Sequence, residues 1–258
     1  MEVHHHSNTV KKKWTHYLWE FLMLFLAVFC GFLAENFREH LIEQNKEKDF
    51  VKSLLEDLKI DTTRLNYSIS RLKGNISYTD SLVIFYVKEN KEKEDEKRMT
   101  SFGLNAGHSV DIVFTDRTSS QLKGTGSMRL IRNKTVADSI LQYWSNQIWI
   151  AQIHDRFETY RLEQRKIGWK TFNWYPLNLL DTGPSVLDYR TIRKMDSLSG
   201  LNLGYLIGIN NKQTLNEFIN VSVALYNTAA SQYLPKLETE SALAYHLILL
   251  IQKEYNLH

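Results

Sequence analysis

The chain has 258 residues, 43% of them hydrophobic and 24% charged, with a formal net charge of +3. So even a balance lacks the concentrated basic excess of a nucleic-acid binder, and three prolines with eleven glycines favour long helices over a many-turned β protein. A single cysteine, Cys30, excludes an intramolecular disulfide, so any folded domain must stand on packing alone.

Residues 1–13 read as a short tail. It carries His4, His5 and His6, then Lys11, Lys12 and Lys13. Residues 14–34 read as a transmembrane helix. Phe21 to Ala34 (FLMLFLAVFCGFLA) has no polar side chain except the thiol, and Trp14, Tyr17, Leu18 and Trp19 extend it upstream. Twenty-one residues from Trp14 to Ala34 make a helix of about 31 Å at roughly 1.5 Å per residue. That matches a hydrocarbon core of about 30 Å. The aromatics suit an interfacial belt, and the lysines ahead of the span predict a cytoplasmic N-terminus. Phe29 before Cys30 spoils a lipoprotein signal, and no clean small-x-small cleavage site follows, so the expectation is an uncleaved anchor.

Two features of this span are candidates for interaction. Glu20 lies on its N-terminal side, with His16 one turn earlier. An intramembrane carboxylate is costly and often functional. Glu20 has two readings: it reaches the interface or pairs with His16, or it pairs with a polar group on a partner helix. Ala27 and Gly31 form a small-xxx-small pair that would let such a helix approach closely.

Residues 35–98 are expected to form one long amphipathic helix. Fifteen positions from 37 to 86 alternate steps of three and four, the seam of a coiled coil or bundle; eleven are apolar (Phe37, Leu41, Val51, Leu55, Leu58, Leu65, Ile69, Leu72, Ile76, Val83 and Tyr86), and Gln44, Lys48, Thr62 and Thr79 hold the rest. The seam keeps its phase across Gly74, which predicts a continuous helix there. Lys88 to Arg98 (KENKEKEDEKR) reads as a solvated helix end or loop, and Met99 to Val110 as a loop.

Residues 99–258 read as a helical domain. A short helix is expected over Phe114–Leu122, ended near Gly124. Lys123 to Ser127 lacks the spacing of a phosphate-binding loop and suits a helix end. A second long helix is expected from Asn133 to about Lys170, with Val136, Ile140, Trp144, Ile148, Ala151 and Phe157 on its apolar face. Arg156, Arg161, Arg165, Lys166 and Lys170 make its later half basic: a solvated or bundle-pairing face, or an anion site. Residues 171–211 collect prolines and glycines and read as an irregular connection. Trp169, Trp174 and Tyr175 at its start are candidates to line a groove. Helices over Leu215–Ala230 and Leu237–Tyr255 close the chain.

No zincin motif, cysteine cluster or nucleophile elbow is present, so no catalytic, metal or cofactor residue is assigned and an enzyme is not expected. The fold class expected is all-α.

Several segments resemble an uncharacterised family of single-pass membrane proteins of Bacteroidota. They are Glu20 with fourteen apolar residues and then Glu35-Asn36-Phe37-Arg38-Glu39; Phe50 to Leu58 (FVKSLLEDL); Gln121 to Gly126 with Arg129 to Asn133; and Ile140 to Trp144. The resemblance covers roughly residues 17–170. It implies an inner-membrane anchor and a periplasmic helical domain, and is silent on activity. The expected role is a membrane-anchored scaffold whose partners are the lipid bilayer and either a second copy or other membrane proteins. The alternatives are a periplasmic ligand-binding module and an accessory subunit of an ion-coupled membrane complex.

Overall fold

The computed structural model describes residues 14–173, 209 and 211–257. Among them it is all-α: α1 (Trp14–Val87), α2 (Lys93–Ala106), α3 (Arg117–Gly124), a 3-10 turn (Ser127–Leu130), α4 (Lys134–Thr171), α5 (Lys212–Thr228) and α6 (Leu234–Tyr255). One isolated antiparallel bridge joins Phe172 to Ile209. The chain divides into two compact units, up to Val51 and from Lys52. Helix α1 contributes to both.

In the first unit, α1 holds a stretch long and apolar enough to cross a membrane, none of it buried within the protein. Phe21, Phe25 and Phe29 stack in series, with ring centroids 6.3 and 5.8 Å apart. Beyond the apolar stretch, Arg38 pairs with Glu35 at 2.5 Å, one turn away.

In the second unit the apolar seam of α1 is buried. Leu55, Leu58, Leu65 and Leu72 are 5% exposed or less. Leu65 and Leu72 join Ile150 and Phe157 of α4, Leu225 of α5 and Leu237 of α6 in one core. A second core forms from Leu82, Met99 of α2, Phe172, and Leu215, Phe218 and Ile219 of α5. From Leu55 onward, then, the seam that resembles a coiled coil is covered by the chain's own helices.

The structure differs from the sequence reading at three places. Lys93–Ala106 is helical where a charged end and a loop were expected. Glu94, Asp95 and Glu96 fill its first turn, where they complement the helix dipole. Asp95 Oδ2 accepts from the Glu92 N–H at 2.9 Å and from Lys88 Nζ at 2.6 Å. Lys88 first, then that N–H, hold the Asp95 carboxyl below its usual range. Gly103 sits within this helix because Phe218 and Phe172 stand only 3.0 and 3.1 Å from where a Cβ would lie. Second, α3 begins at Arg117, not Phe114, since residues 108–115 run outside any helix along α1. Third, α5 and α6 are joined by a five-residue π-turn, Ala229–Tyr233, with the Leu234 N–H bonded to Ala229 O. Pro235 falls in the first turn of α6, where its missing N–H is tolerated.

The extended segment is held by a polar ladder on α1. Asn75 Nδ2 donates to His108 O at 2.8 Å, Ser68 Oγ to Asp111 O at 2.9 Å and Arg64 Nη1 to Val113 O at 3.0 Å. Asp61 Oδ1 accepts from Thr115 N and Oγ1, both at 2.8 Å. Asp57 Oδ2 accepts from Thr118 N at 3.1 Å and Oγ1 at 2.5 Å. Asp57 thereby caps the start of α3, whose own N-cap residue, Asp116, makes no side-chain capping bond. Fourteen helical residues from Asn75 to Asp61 advance about 21 Å. Seven extended residues from His108 to Thr115 cover about 23 Å. The two rises match, which keeps the ladder in register.

Gly107 starts the extended segment against α4. A Cβ there would meet the carboxamide oxygen of Gln164. Gln164 is buried, and its Nε2 donates to Ser222 Oγ at 2.8 Å. Gly107→Ala is expected to destabilise the domain by about 1–3 kcal/mol, the usual range for overpacking. Urea unfolding measures it. If the same loss appears in a Gln164→Ala background, the carboxamide is not the cause.

Candidate functional site

Three groups of side chains stand apart from ordinary core and surface. The first is on the apolar part of α1. Spacings of four, seven and four place His16, Glu20, Ala27 and Gly31 within about 60° of one another around the helix. Phe21, Phe25 and Phe29 lie on the other side. His16 Nε2 and Glu20 Oε1 are 3.2 Å apart. A Cβ added at Gly31 would meet nothing within 4 Å. The chain's own packing therefore does not require glycine at that position. Cys30, exposed, adjoins this face.

The second group is a pair of buried acids inside the bundle. Asp61 of α1 is 2% exposed and Glu240 of α6 is 0% exposed. Tyr143 of α4 donates its hydroxyl to Asp61 Oδ2 at 2.8 Å, so one carboxylate takes three hydrogen bonds from Thr115 and Tyr143. Burial nonetheless holds the Asp61 carboxyl above its usual range, with the Thr115 and Tyr143 bonds opposing it. The Tyr143 hydroxyl is pushed up by burial and then by the Asp61 charge.

Glu240 is different. Neither of its carboxylate oxygens has a hydrogen-bond partner. Burial, and to a lesser extent Asp61, push its carboxyl up to about 8, while Asn146 pulls the other way without completing a hydrogen bond. At neutral pH Glu240 is mostly protonated, because a lone buried charge is far more costly than a neutral acid.

The third group is basic. His108 lies at the start of the extended segment, with Nε2 3.0 Å from Asn105 Oδ1. Burial, then Arg71, Arg165 and Arg161, hold its imidazole below the usual range. Arg161 forms a bidentate pair with Glu158 at 2.6 and 2.7 Å.

Of the residues singled out from sequence, His16 and Glu20 are brought together. Ala27 and Gly31 share their face. Trp169 is 64% exposed on the last turn of α4. Trp174 and Tyr175 lie outside the described residues, as does most of the 171–211 connection. His154 Nδ1 lies 2.8 Å from Tyr233 Oη.

Sequence reasoning missed Asp61, Glu240 and His108. A signal for Glu240 existed. It falls between Leu237 and Ala244 on the apolar stripe of α6, where a charged residue is out of pattern. Among the described residues no group of three or more His, Cys, Asp and Glu is arranged to hold a metal ion. Comparison with family models, with curated proteins and with solved structures gives no match for this chain.

Proposed function

We propose that this protein is a single-span, membrane-anchored scaffold that associates with a second copy or another membrane protein through one face of its anchor. The observation that carries this reading is the separation of faces on α1. His16, Glu20, Ala27 and Gly31 gather on one side, and open space lies at Gly31. A carboxylate within an apolar span is stabilised by a polar partner, and small residues let a second helix approach to van der Waals contact. The lysines before the span argue for a cytoplasmic N-terminus. The helical domain then lies on the far side of the membrane, in the periplasm if the cell is of the kind the resemblance implies.

Cys30 provides the test, because it is the chain's sole thiol and borders the proposed interface. Mild oxidation of membranes holding the full chain is expected to yield a Cys30–Cys30 disulfide dimer. Gly31→Ile is expected to reduce its yield roughly fivefold, equivalent to about 1 kcal/mol of helix association. If no dimer forms and no membrane protein co-purifies in a neutral detergent, the scaffold reading fails.

A further inference from the structure

Arginine is rarely buried without a partner, since a desolvated guanidinium is costly unless a carboxylate or hydrogen-bond acceptor faces it. Several other arginines among the described residues have such partners. Arg38 pairs with Glu35, Arg117 with Glu56 and Asp57, and Arg161 with Glu158. Arg64 donates to Val113 O.

Arg71 of α1 and Arg165 of α4 are exceptions. Both are part-buried, and neither makes a hydrogen bond or ion pair. Both belong to one place. Arg71 lies one turn before Asn75, whose amide holds the His108 carbonyl at 2.8 Å. The Arg165 stem runs 3.9 Å from where a Cβ on Gly107 would stand, and Gly107 precedes His108. Arg71, Arg165 and Arg161 all act on His108, and no acid is among the groups that do. Glu158 pairs with Arg161. Among the described residues, two positive charges and a part-buried imidazole are therefore left without a counter-charge.

We propose that Arg71, His108 and Arg165 form a binding site for a phosphate group, reached where α1, the start of the extended segment and α4 converge. A guanidinium offers parallel N–H donors that match two oxygens of a tetrahedral oxyanion. Two such forks with no opposing acid suit the charge of roughly −1.5 to −2 on a phosphate monoester at neutral pH. A single carboxylate would leave one arginine unanswered. The phosphate can belong to a free ion, a soluble monoester or a lipid headgroup, and the chemistry of recognition is the same.

The test uses the full chain in neutral detergent and follows its thermal unfolding. Inorganic phosphate at millimolar concentration is expected to raise Tm by about 3 °C over sodium chloride of equal ionic strength. Acetate is expected to do less. The rise should vanish in Arg71→Gln/Arg165→Gln and persist in part in Arg165→Lys, which keeps the charge and loses the fork. Lys166→Gln, an exposed change on the same helix, should leave it intact. Mixed micelles of phosphatidic acid, whose headgroup is a phosphate monoester, compared with phosphatidylcholine, form the second arm. An arginine-dependent rise with phosphatidic acid alone assigns a lipid headgroup, and one with inorganic phosphate assigns a soluble ligand. Absence of a rise in both arms, or a rise the double variant retains, overturns the site.

Discussion

Replacing Glu240 with glutamine is expected to remove most of the domain's loss of stability between pH 5 and pH 8. The carboxyl titrates near 8 in the folded chain against about 4.3 in an unfolded one. Between those values the folded state holds a proton that the unfolded state has released, so stability declines as pH rises. The decline begins above the unfolded value and is complete once pH passes 8. A shift of this size corresponds to about 5 kcal/mol at one decade per 1.36 kcal/mol, taken as an upper bound for a group that can admit water. Asp61, also held up by burial, adds a smaller slope of the same sign. His108 has the opposite sign. Its imidazole is held low, so it costs stability only as pH falls below about 6.5. Subtracting the Glu240→Gln profile from the parent profile isolates Glu240, because the glutamine is uncharged throughout. Urea midpoints at half-unit pH steps provide both curves. Parallel profiles for parent and variant would sink the assignment of a protonated, buried Glu240.

Asp61→Ala is expected to be among the most damaging single substitutions in the helical domain, at about 3–5 kcal/mol. Three donor bonds end on this carboxylate, from Thr115 N, Thr115 Oγ1 and Tyr143 Oη. Alanine would strand a buried backbone N–H and a buried phenol, each at a desolvation penalty of about 1–3 kcal/mol. It would also release one rung of the ladder holding residues 108–116 to α1. Asp61→Asn keeps an acceptor for Thr115 and the shape of the side chain, so a loss of about 1 kcal/mol is expected. The ratio of the two losses is the informative quantity. Equal losses would mean that the charge of Asp61 matters and its hydrogen bonds do not. Amide exchange adds a local reading: Thr115 N–H should be protected in the parent and in Asp61→Asn, and open in Asp61→Ala.

The N-terminal helix long and apolar enough to cross a membrane, its continuation through Gly74, the helix beginning after Asn133 and the all-α class were legible in the amino-acid sequence. Each rests on short-range regularity: an unbroken apolar run or a repeat of three and four. Asn133 caps the later helix by accepting from Val136 N at 3.1 Å. What lies between these elements was not legible. Whether Lys93–Ala106 is helix or loop turned on Gly103 fitting beneath Phe172 and Phe218, residues far away in the chain. The extended run of 108–115 has no periodicity of its own. It exists because Asp57, Asp61, Arg64, Ser68 and Asn75 present a polar edge beside the apolar seam, and only folding decides which segment that edge receives.

The same division holds for the candidate sites. Helical spacing alone places His16, Glu20, Ala27 and Gly31 on one face, because they belong to one helix. Glu240 looks misplaced on its stripe, but the burial that raises its pKa is a property of the assembled interior. Arg71, His108 and Arg165 are 37 and 57 residues apart along the chain. Arg165 belongs to a basic run with an anion site among its readings, but nothing in the sequence joins it to Arg71 or His108. Periodicity reports which side of a helix meets apolar surroundings; the electrostatics of a site depend on which elements meet, and that is settled only when the domain closes.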